Sequence, residues 1–210
     1  MGKVLAVPIL LTKRSESYCV ALCAKMIMEF HGQCYPLREI IAGTRIRRDG
    51  GTIWDMGIFF LEKNYEAQII GWPHYLFPNQ MYNIGKEAAR SKLIRWCKRS
   101  DIADEGSRRE RRLILEFLEA GGAVNPRSVM IEDIRDELSQ GFPPVLHMNA
   151  AALYRYKRRK DVGHVMVLTG ITGRYMILND PNVGQFKCPT GLLMHACHMG
   201  FSAGLFVRPK

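Results

Sequence analysis

The sequence predicts an α+β fold from three observations. Apolar residues recur at helical spacing through most of the first two thirds of the chain. Short β-branched and apolar runs, separated by Gly-containing turns, fill the last third. No internal repeat or low-complexity linker divides the two, so helices come first and an antiparallel sheet follows.

Val4 to Leu11 is apolar and holds Pro8, which suits a short strand or an extended arm, and Thr12 to Ser17 is polar and loop-like. From Tyr18 to His31 the pattern turns helical, with Val20, Ala21, Ala24, Ile27 and Met28 on one face. Ser17 is the expected N-cap and Gly32 the expected stop. A second short helix is predicted over Pro36 to Ala42, followed by a charged loop from Arg45 to Gly51. Thr52 then caps a helix to about Lys63, with Ile53, Met56, Phe59 and Phe60 inward, and Ala67 to Gly71 reads as a strand.

Lys86 to Lys98 and Arg108 to Ala120 are expected as basic helices, and Gly121-Gly122 and Asn125-Pro126 as punctuation. Ser128 is the expected cap of a helix from Val129 to Leu138, stopped by Gly141. Strands are predicted at Pro144 to Met148, Val165 to Ile171, Tyr175 to Leu178 and in the tail from Gly200 to Val207. The middle two flank Thr172-Gly173 and form a hairpin.

At 210 residues, against a prior of about 150 per domain, the chain is expected to form one domain over 1–210. Apolar residues at 47% and charged residues at 24% are ordinary globular composition. No apolar run approaches the roughly 18 residues of a spanning helix. The apolar start lacks a small-residue cleavage site and is followed by Lys13 and Arg14, and Ala6 stands where a myristoylation signal needs Ser or Thr. Cys19, Cys23, Cys34, Cys97, Cys188 and Cys197 are irregularly spaced, which fits free thiols in reducing cytosol. The net charge of +10 speaks to association: nucleic acid, an anionic surface or an acidic peptide.

Cys19 falls in the first turn of the first long helix. Unpaired backbone N–H groups and the helix dipole there favour an anion and push a thiol toward thiolate, the form that attacks carbonyls. The plainer reading is a small residue packing the helix start. Cys23, one turn on, is core, a resolving thiol or a zinc ligand without matching partners. His164 opens the strand Val165 to Ile171, and Asp180 closes the returning strand. Folding at Thr172-Gly173 brings the two together in any register, and a carboxylate beside an imidazole fixes its tautomer. His147 is the alternative base. Cys188, His195, Cys197 and His198 make a Cys/His-rich tail whose spacing suits no common zinc motif. No Walker loop or dinucleotide fingerprint is present, and no cofactor or metal is expected.

A cysteine at an early helix start, followed by a His and an Asp on a late hairpin, is the papain-like order of parts. The segment from Ser17 to Gly32 resembles the active-site helix of the bacteriocin-processing, double-glycine family of cysteine peptidases. Gly163 to Ile171 resembles that family's His strand, and Leu178-Asn179-Asp180-Pro181 with Gly184 its Asp turn. Leu37 to Gly57 and Ile131 to Val145 follow the family's order, whereas about 72–129 looks like a helical, basic insertion. The family usually carries Gln about six residues before the cysteine, where it helps form the oxyanion hole. Lys13 stands there instead, and Val20 replaces the usual Gly after the cysteine.

The resemblance implies a papain-like fold, with the N-terminal active-site helix packed on a C-terminal antiparallel sheet. It also implies a Cys19-His164-Asp180 triad, Lys13 as the oxyanion candidate, and a peptide substrate with small residues before the cut. A catalytically silent peptide- or protein-binding domain is the alternative. Nucleic-acid binding through the basic residues of Lys86 to Arg112 is a third expectation and rests on charge alone, with a single aromatic, Trp96, in that stretch. Lys157-Arg158-Arg159-Lys160, just before the His strand, is either a solvated loop or a basic cleft rim.

Overall fold

The computed structural model describes residues 4–12, 18–47, 50–71, 77–99, 105–154, 163–200 and 202–210. Among them seven strands form one sheet: β1 (Tyr65–Ile70), β2 (Ala123–Asn125), β3 (Val145–Asn149), β4 (Gly163–Thr172), β5 (Tyr175–Asp180), β6 (Gly184–Pro189) and β7 (Ala203–Pro209). Their spatial order is β2-β1-β7-β3-β4-β5-β6. Every neighbouring pair is antiparallel except β1 with β2. A parallel pair needs a long crossover. Here the crossover carries α4 (Lys86–Cys97) and α5 (Glu105–Glu119).

The remaining helices are α1 (Cys19–Phe30), α2 (Leu37–Gly43), α3 (Ile53–Glu62), α6 (Ile131–Ser139), α7 (Ala150–Tyr154) and α8 (Thr190–His198). α1 is buried along nearly all its length, and its stop lies at Gly32, whose φ of +75° a residue with a Cβ rarely adopts. Thr52 caps α3 as its sequence predicts: its hydroxyl accepts from the Asp55 N–H while the Asp55 carboxylate accepts from the Thr52 N–H.

Several sequence expectations change. α6 starts from Met130, not Ser128, because the Asp133 carboxylate accepts the Met130 N–H at 2.8 Å and is itself held by Arg127 through bonds of 2.7 and 2.6 Å. Tyr18 occupies the N-cap position of α1 with no side-chain bond, and Ser17 lies outside the described residues. β2, β6, α7 and α8 were not anticipated. β2 has three residues, too few to show a period, and β6 follows a segment whose composition reads as a turn. The sheet also takes β1 and β2 from the first two thirds of the chain, so helices and strands interleave more than the sequence suggests.

Half of the basic run at the start of α5 turns inward, through Arg109 and Arg111, while Arg108 and Arg112 are exposed. Arg109 approaches Asp55 at 3.9 Å, and Glu110 accepts from the Trp54 indole N–H at 3.2 Å. Arg111 lies over the Trp96 ring at 3.6 Å and donates to the Trp96 carbonyl at 3.2 Å. These contacts tie α5 to α3 on one side and to α4 on the other. The apolar lock is Phe117 of α5, whose ring abuts two glycines. A Cβ at Gly57 would sit 2.7 Å from it, and one at Gly122 would sit 2.4 Å from it. Gly57→Val is expected to destabilise the fold by about 1–3 kcal/mol through overpacking against Phe117. Urea denaturation checks this, and an unchanged midpoint would remove Phe117 as the lock.

Candidate active site

β4 and β5 diverge at the end that carries the candidate residues. The β4–β5 register stops at Val167 opposite Asn179, whereas β3 follows β4 to Gly163. On the β5 side, His164 and Val165 therefore have no strand partner, and the N-terminal turns of α1 occupy that place. The Cys23 thiol donates to the Val165 carbonyl at 3.4 Å, and the Val165 N–H is directed at the Cys19 sulfur. The N–H groups of Cys19 and Val20 also point toward that sulfur, as the open first turn of a helix requires.

His164 Nε2 lies 3.0 Å from Asp180 Oδ1, and both side chains are buried. Asp180 Oδ1 also accepts the Asn182 N–H at 2.6 Å, a turn that Pro181 and Gly184 close. With Nε2 committed to the carboxylate, Nδ1 is the nitrogen free to serve as a base. Gly173, at φ +56°, makes the hairpin turn that brings His164 and Asp180 together, as the sequence predicts.

Burial pushes the His164 imidazolium down to about 4 and the Asp180 carboxyl up to about 6, the latter opposed by the N–H groups of Asn182 and Val183. Above that range the resting pair is a neutral imidazole donating Nε2–H to a carboxylate. The expectation of a lowered Cys19 thiol is not met. Burial raises it and the nearby Asp180 charge adds to the rise, outweighing the N–H groups of Val165, Val20 and Cys19. A thiol of this kind stays protonated near neutral pH unless a base takes its proton. Cys23 is fully buried and raised further by burial, which makes it core rather than a reactive thiol.

Lys13 and the basic segment Lys157 to Lys160 lie outside the described residues. His147 stands on β3 opposite Val165, and burial together with the charge of His164 takes it down to about 4. The Cys/His-rich tail is spread along β6 and α8. There the Cys188 and Cys197 thiols lie 3.5 Å from the carbonyls of Pro189 and His147, and His198 Nε2 lies 3.2 Å from the Val129 carbonyl. All six cysteines are free. Among the described residues no helix is long and apolar enough to cross a membrane.

Sequence reasoning missed Asn179. It is fully buried beside Asp180, and its side chain bonds to residues more than 170 positions away. In sequence Asn179-Asp180-Pro181 reads only as turn chemistry, so nothing local marks it.

The α1 helix set against a split antiparallel sheet, with a buried His-Asp pair on the hairpin beside it, is the α+β architecture of papain-like cysteine peptidase domains. The particular likeness is to double-glycine peptidases: the model of the Peptidase_C39-like family matches residues 112–187, which include His164 and Asp180 but not α1. No curated protein matches the chain. Among solved structures, a double-glycine motif protease from an AMS/PCAT transporter, crystallised with its leader peptide, is 16% identical with a TM-score of 0.55, covering 99% of this chain and 95% of that one. The peptidase domain of Streptococcus ComA, a bi-functional ABC transporter involved in quorum sensing, is 11% identical with a TM-score of 0.54, covering 97% and 99%. At these identities the likeness establishes the fold.

Proposed function

We propose that the chain is a cysteine peptidase working through Cys19, His164 and Asp180. The observation that carries the reading is the buried His164–Asp180 pair at 3.0 Å, set beside the helix start that bears Cys19. In this reading Nδ1 of His164 takes the Cys19 proton as the sulfur attacks the scissile carbonyl. The same nitrogen returns the proton to the leaving amine, and water then hydrolyses the thioester. Asp180 holds the Nε2–H tautomer and stabilises the imidazolium that forms. The Cys19 N–H, with the Lys13 ammonium in place of the family's usual Gln, receives the oxyanion. The substrate is a peptide with small residues before the cut, in keeping with a structural relative that was crystallised with a leader peptide. The helical stretch about 72–129 is read as an insertion within one domain of 1–210.

A silent peptide-binding domain is the second reading, favoured by Lys13 in place of Gln and by the raised Cys19 thiol. Iodoacetamide labelling with mass mapping separates the two. Cys19 alkylation at pH 7 is expected to slow at least about tenfold in His164→Ala, which lacks the base that takes the thiol proton. Cys34, exposed and remote in sequence, is the internal control and is expected to label equally in both proteins. Equal Cys19 labelling with and without His164 would sink the Cys-His pair and leave a binding module.

A further inference from the structure

The segment before α1 is not a free tail. Val4 bridges to Gly170, and the Leu5 N–H donates to the Thr169 carbonyl at 2.7 Å, at the β4 irregularity between Leu168 and Gly170. Such a bulge leaves one residue without a ladder partner, and the arm takes up its carbonyl. Seven residues on, the Thr12 N–H donates to the Pro181 carbonyl at 2.8 Å, next to Asp180. Between these two bonds the arm holds Pro8, which has no N–H, so a continuous strand ladder is interrupted there.

Asn179 fills the gap. Its Nδ2 donates to the Val7 carbonyl at 3.0 Å and to the Pro8 carbonyl at 3.2 Å, while its Oδ1 accepts from Gln185 Nε2 at 3.0 Å. Both amide protons are thus spent on the arm, and β6 fixes the amide's orientation through the oxygen. The same residue is the immediate chain neighbour of Asp180, which holds His164. Thr12 stands seven positions before Cys19, the first residue of α1.

We propose that Asn179 is a positioning residue, which sets the register of the nucleophile-bearing N-terminal segment against the hairpin that carries His164 and Asp180. The inference rests on the peptidase reading. It assigns the reaction a residue that touches neither substrate nor reacting atoms, and whose effect passes through the arm into the approach to Cys19. A 1 Å misplacement of a catalytic group is enough to cost about a hundredfold in rate, and the carbonyls of Val7 and Pro8 have no other bond holding them to β5 among the described residues.

The test is Asn179→Leu, close in volume and without donors, in the full chain, with a fluorogenic peptide amide ending in Gly-Gly as the probe. Amide hydrogen exchange of Leu5 and Thr12 reports the arm, and thermal melting sets a temperature at which wild type and variant are both folded. The expected result is at least about tenfold faster exchange at those two amides, kcat reduced about ten- to a hundredfold, and KM within about twofold. Faster arm exchange with unchanged kcat would overturn the proposal and make Asn179 a structural strap only. Unchanged exchange would overturn it as well. Asn179→Ser, which keeps a donor, is expected to recover part of kcat; a serine variant no better than leucine would argue against the donor role. Wild-type protein without thiol-dependent cleavage of the probe would instead overturn the peptidase reading, and the catalytic half of this inference with it. The two failures are therefore distinguishable.

Discussion

Cys19→Ala is expected to abolish cleavage of a Gly-Gly peptide amide, with turnover falling by at least about 10³-fold, while the fold is retained. Removing a covalent nucleophile from a unit that acts together costs nearly the whole of its catalysis. The side chain is half-buried at the start of α1, and its replacement removes only the weak contacts that its sulfur receives from the Val165 and Val20 N–H groups. Far-UV circular dichroism and the melting temperature are therefore expected to stay close to wild type. Cys23→Ala is the control. That thiol donates to Val165 from a fully buried site, so its loss is expected to reduce stability by about 1–2 kcal/mol and leave kcat within a fewfold. A Cys19 variant that still cleaves the peptide would end the assignment of the nucleophile.

Asp180→Asn is expected to lower kcat about 10²-fold, in the range that a positioned acid–base group contributes. It is also expected to remove the acid limb of the pH–rate profile. In the wild type, burial holds the Asp180 carboxyl at about 6. Above that value the carboxylate accepts Nε2–H from His164 and leaves Nδ1 free to take the thiol proton. Below it, a protonated carboxyl donates to Nε2 instead, Nδ1 then carries the ring hydrogen, and the base is lost. Asparagine does not titrate, so the inflection near pH 6 disappears. An unchanged inflection would detach Asp180 from the activity.

The stability signs run in opposite directions for the two partners. Asp180 has a folded pKa raised from 3.8 to about 6, so its contribution is present below 3.8 and is lost as pH rises through about 6. His164 is lowered from 6.5 to about 4, so its contribution is present above 6.5 and is lost as pH falls through about 4. Asp180→Asn removes only the first. Its unfolding free energy relative to wild type is therefore expected to improve from pH 4 to pH 7 in urea titrations.

The α1 helix, the Thr52 cap of α3 and the β4–β5 hairpin were legible because each is written in contiguous residues: a 3.6-residue period, a Thr just before an apolar helical run, and a Gly turn between β-branched runs. The hairpin also made the His164–Asp180 encounter legible, since joining two strands at Gly173 leaves their far ends adjacent in any register. β2 and β6 were not legible, because three residues in one case and mixed polarity in the other carry no period. Ser128 misled because serine is a favoured cap by residue type, whereas the Arg127-held Asp133 carboxylate fixes the helix start at Met130, two residues later.

The sequence by itself determined the class of fold, the order of its catalytic candidates and the pairing of His164 with Asp180, all consequences of local periodicity and turn geometry. Only the tertiary structure decided the rest. It raised the Cys19 thiol, because burial and the Asp180 charge oppose ionisation more strongly than the helix start favours it. It turned Arg109 toward Asp55 and laid Arg111 over Trp96, while Arg108 and Arg112 stay exposed. It also brought Asn179 to the carbonyls of Val7 and Pro8, a contact between residues some 170 positions apart that no local pattern encodes.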